Sequence, residues 1–264
     1  MILIPAFLFI LGVIIGSFLN VLGLRWNSGL TLGGRSFCVV CQKGLPWWEL
    51  VPVISFLGLN GKCSGCKSKI SWQYPVVEFW TGLVFSTLYV ARPFEFNFLG
   101  IILYILSITV FSIFIVITIY DVRHKIIPNE LVYSSIILAF LYRLIALGSI
   151  YDFLAGPILF GFFGLIWLVS KGRAMGFGDA KLALAIGLLL GFPAGLSAAV
   201  LAFWIGSVVT LTILALSRVK LSLFKNVKGL TMKSEIPFAP FLIIGAWISF
   251  IYTLDLFYVL VQNH

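Results

Sequence analysis

The chain has 264 residues, of which 61% are hydrophobic and only 10% charged, and its formal net charge is +9. Average globular usage is nearer 25% charged, so a water-soluble domain is excluded and an all-α polytopic membrane protein is expected. The basic excess does not call for nucleic acid, because Lys and Arg flanking apolar spans are what sets membrane topology.

The first apolar stretch, residues 2–24, has no basic residue before it and Arg25 after it. It therefore reads as a retained transmembrane helix and not as a cleaved signal peptide. Residues 25–75 form the one sizeable polar region. They carry "CVVC" and "CSGC", which place Cys38, Cys41, Cys63 and Cys66 as two C-x-x-C pairs with a longer run between them. Each short knuckle can give two thiolates to one tetrahedral zinc. The alternative is redox or disulfide pairing, which a cytosolic location disfavours. With four cysteines and no nearby histidine, such a zinc is structural, and it explains how about 50 residues fold around so small a core.

Seven further spans follow, at roughly 76–91, 98–120, 131–148, 153–170, 180–192, 195–217 and 238–261. These make about eight transmembrane helices, with residues 25–75 as a zinc-ribbon-like loop domain and 76–264 as a transmembrane core. With the N-terminus outside, residues 25–75, 121–130, 171–179 and 218–237 are cytosolic. All but Arg92 and Arg143 of the 18 Lys and Arg then lie in those loops or at their edges, as the positive-inside rule requires. The sixth span, from Ala180 to Phe192, is short. It makes about 20 Å of helix against roughly 30 Å of hydrocarbon, so it needs local thinning, tilt or shielding by protein.

Asp121 ends the third span and Asp179 starts the sixth. These spans run in opposite senses, which brings the two carboxylates to the same cytosolic face. Pro128 and Asn129 break the helix after Asp121. Gly176 and Gly178 are expected to supply backbone angles closed to other residues and a close backbone approach by a ligand. Two neighbouring carboxylates can share a proton, one held protonated and the other ionised. The ionised member takes a proton from water while the other polarises a peptide carbonyl, which is aspartic peptidase chemistry. In the alternative reading, Asp121 pairs with Arg123 or Lys125 at a surface and Asp179 caps a helix. Other hydrolytic routes lack their parts. The histidines are His124 and His264, so there is no H-E-x-x-H zinc site, and no G-x-S-x-G turn occurs.

Six ordered motifs give the chain a family likeness: "GSFLNV" from Gly16, the two cysteine pairs with "SFLGLNGKC" between them, "YPVVEF" from Tyr74, Asp121 with "KIIPN", "GFGD" followed by Ala180 and Lys181, and "IPFAPFL" from Ile236. Together they resemble the type IV prepilin peptidase family over nearly the whole chain. The resemblance implies that Asp121 and Asp179 are the catalytic pair of a G-x-G-D aspartic peptidase. It implies cleavage of prepilins and pseudopilins after a short basic leader, on the cytosolic side of a bacterial inner membrane. It also implies N-methylation of the new N-terminal residue with S-adenosylmethionine as donor. Gly61 and Lys62 are then candidates for the methyl-donor site, with a zinc-knuckle turn as the alternative. Glu78, Gly176, Gly178 and Lys181 are candidates for substrate contact, and for Glu78 a snorkelling interface residue is the alternative. Glu235 reads as Glu78 does, and Asp152 and Asp255 fall toward the outer face, away from catalysis. "WWELVP" and Ala239 depart from the family pattern. A secondary transporter would carry its acids near the midplane and show an internal repeat; this chain shows neither. A non-catalytic assembly factor is the remaining alternative.

Overall fold

The computed structural model describes residues 3–29, 33–34, 36–91, 97–218 and 237–253. Arg92, Lys220, Lys225, Lys228, Lys233, Glu235, Asp255 and His264 lie outside the described residues. Among the described residues, nine α-helices are assigned: α1 (Leu3–Arg25), α2 (Ile54–Gly58), α3 (Gln73–Ala91), α4 (Phe98–His124), α5 (Asn129–Ile145), α6 (Ile150–Ser170), α7 (Phe177–Leu190), α8 (Ala194–Arg218) and α9 (Ala239–Tyr252). Each of the eight apolar segments read from the sequence overlaps one of these helices, the end of the last (254–261) lying outside the described residues, and α2 is a single turn inside the cysteine loop. Four are long and apolar enough to cross a membrane by length and composition: α1, α4, α6 and the Ala194–Ala215 part of α8. The chain divides into two compact units, Met1–Ile119 and Tyr120–His264.

In the first unit, α1 and α3 touch backbone to backbone. A β-carbon on Gly12 would stand 2.8 Å from the Gly82 Cα, and one on Gly16 would stand 2.9 Å from the Glu78 Cα. Gly12 and Gly16 form a G-x-x-x-G face, the spacing that lets apolar helices pack without intervening side chains. The buried core lies on α3 (Val84, Phe85, Leu88) and the adjoining part of α4 (Val110, Phe111, Phe114). The Tyr104 hydroxyl ties these two helices by donating to the Phe85 carbonyl at 2.9 Å.

The second unit is built around α7. This helix has 14 residues, about 21 Å at 1.5 Å per residue. Leu182, Ala183 and every residue from Ala185 to Leu190 are buried, against α5, α6, α8 and α9. Gly187 of α7 meets Gly156 of α6 so closely that a β-carbon there would stand 2.6 Å from the Gly156 Cα. Protein therefore encloses this short helix. The carbonyls left free at a helix C-terminus need partners, and here Arg143 supplies them. Its Nε donates to the Leu188 carbonyl at 3.1 Å and its Nη2 to the Leu189 carbonyl at 2.7 Å. Asp152 stands 4.0 Å from the same guanidinium and accepts the Phe192 amide at 3.1 Å. It also accepts the Ser149 amide that opens α6, at 2.9 Å. Arg143, one of the two exceptions to the charge bias, is thus a buried helix cap and not a loop charge.

Candidate functional site

Asp121 lies in the last turn of α4, which continues to His124 before Lys125 takes a left-handed conformation (φ 55°) and ends it. The chain then runs extended through Ile126–Pro128, and α5 begins at Asn129. Asp179 sits in the first turn of α7, two residues inside its start, and its Oδ2 accepts the Gly176 amide at 3.2 Å. Two contacts fasten the segment after Asp121 onto α7. Gly178 packs against Ile127, and the Lys181 ammonium donates to Asn129 Oδ1 at 2.8 Å while lying over the Tyr133 and Phe177 rings. The two aspartate-bearing motifs meet in this way, and the aspartates fall within electrostatic reach of each other.

Both carboxylates are buried, Asp121 at 5% and Asp179 at 8% exposure. The Ala239 amide, at the N-terminus of α9, reaches the Asp121 carboxylate. Asp121 Oδ2 is buried and has no hydrogen-bond partner among the described residues, and no ion pair there joins Asp121 to Arg123 or Lys125. An orphaned buried acceptor is uncommon and is characteristic of catalytic or ligand-binding positions. The surface-pair reading of Asp121 is overturned. The capping reading of Asp179 holds for one oxygen, since Oδ2 does close the first turn of α7.

The expectation about the two glycines needs correcting. Gly176 has φ −75° and ψ 149°, and Gly178 lies within the helix without a positive φ, so neither uses an angle closed to other residues. Gly178 instead provides the absence of a side chain: a β-carbon would stand 2.9 Å from the Ile127 Cβ. Lys181, expected at substrate, holds Asn129. Sequence reasoning gives no site role to Asn129, Ile127 or Ala239. Their signal lies in being parts of "KIIPN" and "IPFAPF", whose side chains carry no obvious chemistry.

The four cysteines converge. Their sulphur atoms all lie within 4.8 Å of one another, with Cys38 to Cys66 at 3.8 Å and Cys41 to Cys63 at 3.9 Å. All four thiols are free. A Zn–S bond of about 2.3 Å implies a tetrahedral edge of about 3.8 Å, so the residues fit the ion. Both knuckles share one turn. The amides of Gln42 and Lys67 donate to the carbonyls of Cys38 and Cys63, and Gln42 and Lys67 are left-handed at φ 59° and 58°. Backbone amides, that of Cys41 first and then that of Val40, hold the Cys38 thiol down to about 6, whereas Cys41, although the Lys43 amide lowers it, is pushed up to about 11 by desolvation and the other three sulphurs. Lys43 joins the knuckles by donating to Ser64 Oγ at 2.7 Å and Glu49 Oε1 at 3.4 Å. Gly61 is left-handed at φ 64°, and its amide donates to the Phe56 carbonyl at 2.8 Å. Lys62 bridges Lys69. Both residues therefore form the turn that enters the second knuckle.

Residues of "GSFLNV" and "YPVVEF" assemble a second polar cluster in the first unit. Asn20, fully buried, donates to the Tyr74 carbonyl at 3.2 Å and accepts from Gln73 Nε2 at 3.4 Å. Glu78 is 6% exposed, so it does not snorkel. Its Oε2 accepts the Val53 amide at 2.8 Å, with the Ser17 hydroxyl beside it. Val53 has φ 60° and ψ −51°, and the Ile54 amide donates to the Pro52 carbonyl at 2.6 Å. This is the rare, strained form of the γ-turn, in a β-branched residue.

Comparison with known proteins identifies relatives over most of the chain. A model of the bacterial peptidase A24 N-terminal domain matches residues 10–92, and one of the type IV leader peptidase family matches residues 108–211. Proteins named prepilin leader peptidase/N-methyltransferase are similar over most of the chain. The one from Stutzerimonas stutzeri is 30% identical, covering 92% of this chain and 89% of its own length. The one from Bacillus subtilis is 32% identical, covering 93% of each. The one from Pseudomonas aeruginosa is 29% identical, covering 92% of this chain and 88% of its own length. No solved structure matches the chain.

Proposed function

Because the chain belongs to the type IV leader peptidase family, we propose that it cleaves the short basic leader from type IV prepilins and related pseudopilins and N-methylates the residue so exposed. The observation that carries the peptidase half is the buried pair Asp121 and Asp179, in electrostatic contact, with Asp121 Oδ2 lacking any partner among the described residues. Two such carboxylates cannot both ionise cheaply, so they titrate as a unit sharing one proton. The ionised carboxylate accepts a proton from the attacking water. The protonated one donates a hydrogen bond to the scissile carbonyl as its oxygen gains charge. Gly178 and Lys181 hold the two acids in register, and the amides of Gly176 and Ala239 bias the charge on each.

Cys38, Cys41, Cys63 and Cys66 would hold a structural zinc, which supplies a fixed cross-link and no chemistry. S-adenosylmethionine supplies a transferable methyl group when bound, and residues 25–75 with Gly61 and Lys62 are the region we assign to it. The cytosolic placement of both sites, in an inner membrane crossed eight times, rests on the distribution of Lys and Arg. The active site then faces the side on which a basic leader would remain. The test is to incubate purified protein with a prepilin in detergent and weigh the product with and without S-adenosylmethionine. Loss of the leader in both cases, and about 14 Da more only with the donor, is the expected result. An uncut prepilin would refute the reading.

A further inference from the structure

Glu78 is a buried carboxylate to which the hydrolysis proposed for Asp121 and Asp179 assigns no role. We propose that it seats a primary ammonium group, namely the free N-terminus that leader cleavage creates and methylation consumes. The inference rests on the proposed function and goes further by giving the methyl acceptor a binding residue.

An ionised carboxylate has about four acceptor positions. Those filled on Glu78 are the Val53 amide at 2.8 Å and the Ser17 hydroxyl. No Lys, Arg or His of the described residues pairs with it. A buried carboxylate without a cation is costly, and buried charges are normally paired. A cation is therefore expected from beyond the described residues, and a bound substrate can supply one. The amide that Glu78 does hold is that of Val53, the strained turn, and strain of this kind gathers at ligand clamps.

Two ammonium groups could arrive: a lysine side chain of the leader, or the new α-amine. The surroundings favour the second. The segment that carries Val53 presents Trp47, Trp48, Ile54 and Leu57 outward, each more than half exposed. An exposed apolar stretch on the segment that Glu78 holds suits a hydrophobic mature N-terminus and not a basic leader.

The test uses the full-length, zinc-loaded protein in detergent and two synthetic peptides of a mature pilin N-terminus, one with a free amine and one acetylated. Unaltered protein should bind the free amine about ten- to a hundredfold more tightly, the range of charge-assisted hydrogen bonds. Glu78→Gln keeps an acceptor for the Val53 amide but no charge, and it should bind both peptides alike. Zinc content and the thermal midpoint report whether the variant folds, and the peptide comparison on unaltered protein needs no variant at all. Equal binding of both peptides by unaltered protein would overturn the assignment, as would full discrimination by Glu78→Gln. A loss of cleavage by Glu78→Gln that scales with the number of leader lysines would place the ammonium in the leader and overturn it too. If unaltered protein neither cuts nor methylates, the proposed function falls; if it does both and only discrimination fails, the Glu78 assignment alone falls.

Discussion

Gly178→Ala tests whether the site is assembled by close contact. A β-carbon there would stand 2.9 Å from the Ile127 Cβ and 3.3 Å from its Cγ1 and Cδ1. Carbon atoms rest at about 3.5–4.0 Å, so α7 and the segment after Asp121 must part by about 0.6 Å or more. Overpacking of this size costs about 1–3 kcal/mol. Alanine recovers about 0.5–1 kcal/mol over glycine within a helix, so the variant should fold, at a net cost of no more than about 2.5 kcal/mol. Catalysis should suffer more. Asp179 is the next residue, catalytic groups must be held to about 0.5 Å, and a misplacement of 1 Å can cost about a hundredfold. Cleavage of a prepilin, followed by product mass, should fall by about ten- to a hundredfold. Gly176→Ala is the control, because its β-carbon would meet Asp179 Oδ2 at an ordinary 3.4 Å with φ already at −75°; most activity should remain. Ile127→Val should not rescue Gly178→Ala, since it keeps the Cβ that makes the clash, whereas Ile127→Gly should rescue it in part. A folded Gly178→Ala protein that cuts at the normal rate would refute the geometry.

Asp121→Asn and Asp179→Asn should each abolish cleavage in a folded protein, and the double variant should be no worse, as for residues acting together; turnover by either single variant would remove the pair from catalysis. Asp179→Asn should still methylate a substrate supplied already cut, and failure to do so would mean one shared site. Elemental analysis should find one zinc per chain, and Cys63→Ser should speed proteolysis within residues 25–75 more than elsewhere; metal-free protein with its thiols paired as disulfides would refute this. Arg143→Met strands the Leu188 and Leu189 carbonyls and the Asp152 carboxylate, and should cost about 3–5 kcal/mol; an unchanged thermal midpoint would show that Arg143 does not cap α7.

Much of this is legible in the sequence, for reasons tied to particular residues. Apolar segments announce helices whatever their neighbours, so all eight can be read. C-x-x-C spacing carries its chemistry within a single knuckle, so the cysteines can be read too. The two aspartates follow from opposed spans and few acids. Less visible are features that exist only between distant segments. Nothing around Glu78 names Val53, which lies well before it in the chain, as its partner, although G-V-I-I-G in α1 does advertise a face able to approach α3. Gly178 suggests special angles when what it offers is missing bulk against Ile127, a contact between segments far apart in sequence. Arg143 looks like a breach of the charge rule until α7 is seen to end beneath it.

The burial of α7 separates two kinds of constraint on this chain. A helix enclosed by α5, α6, α8 and α9 is selected for shape, so exchanging Ala183 or Gly187 for leucine, oilier but larger, should be ruinous. On the outer side of α6, where Phe162, Leu165 and Leu168 are exposed, any lipophilic residue should serve. A saturation library scored for folding would therefore sort the helices into two alphabets. One is ruled by size and the other by oiliness, and the short helix bearing Asp179 belongs to the first.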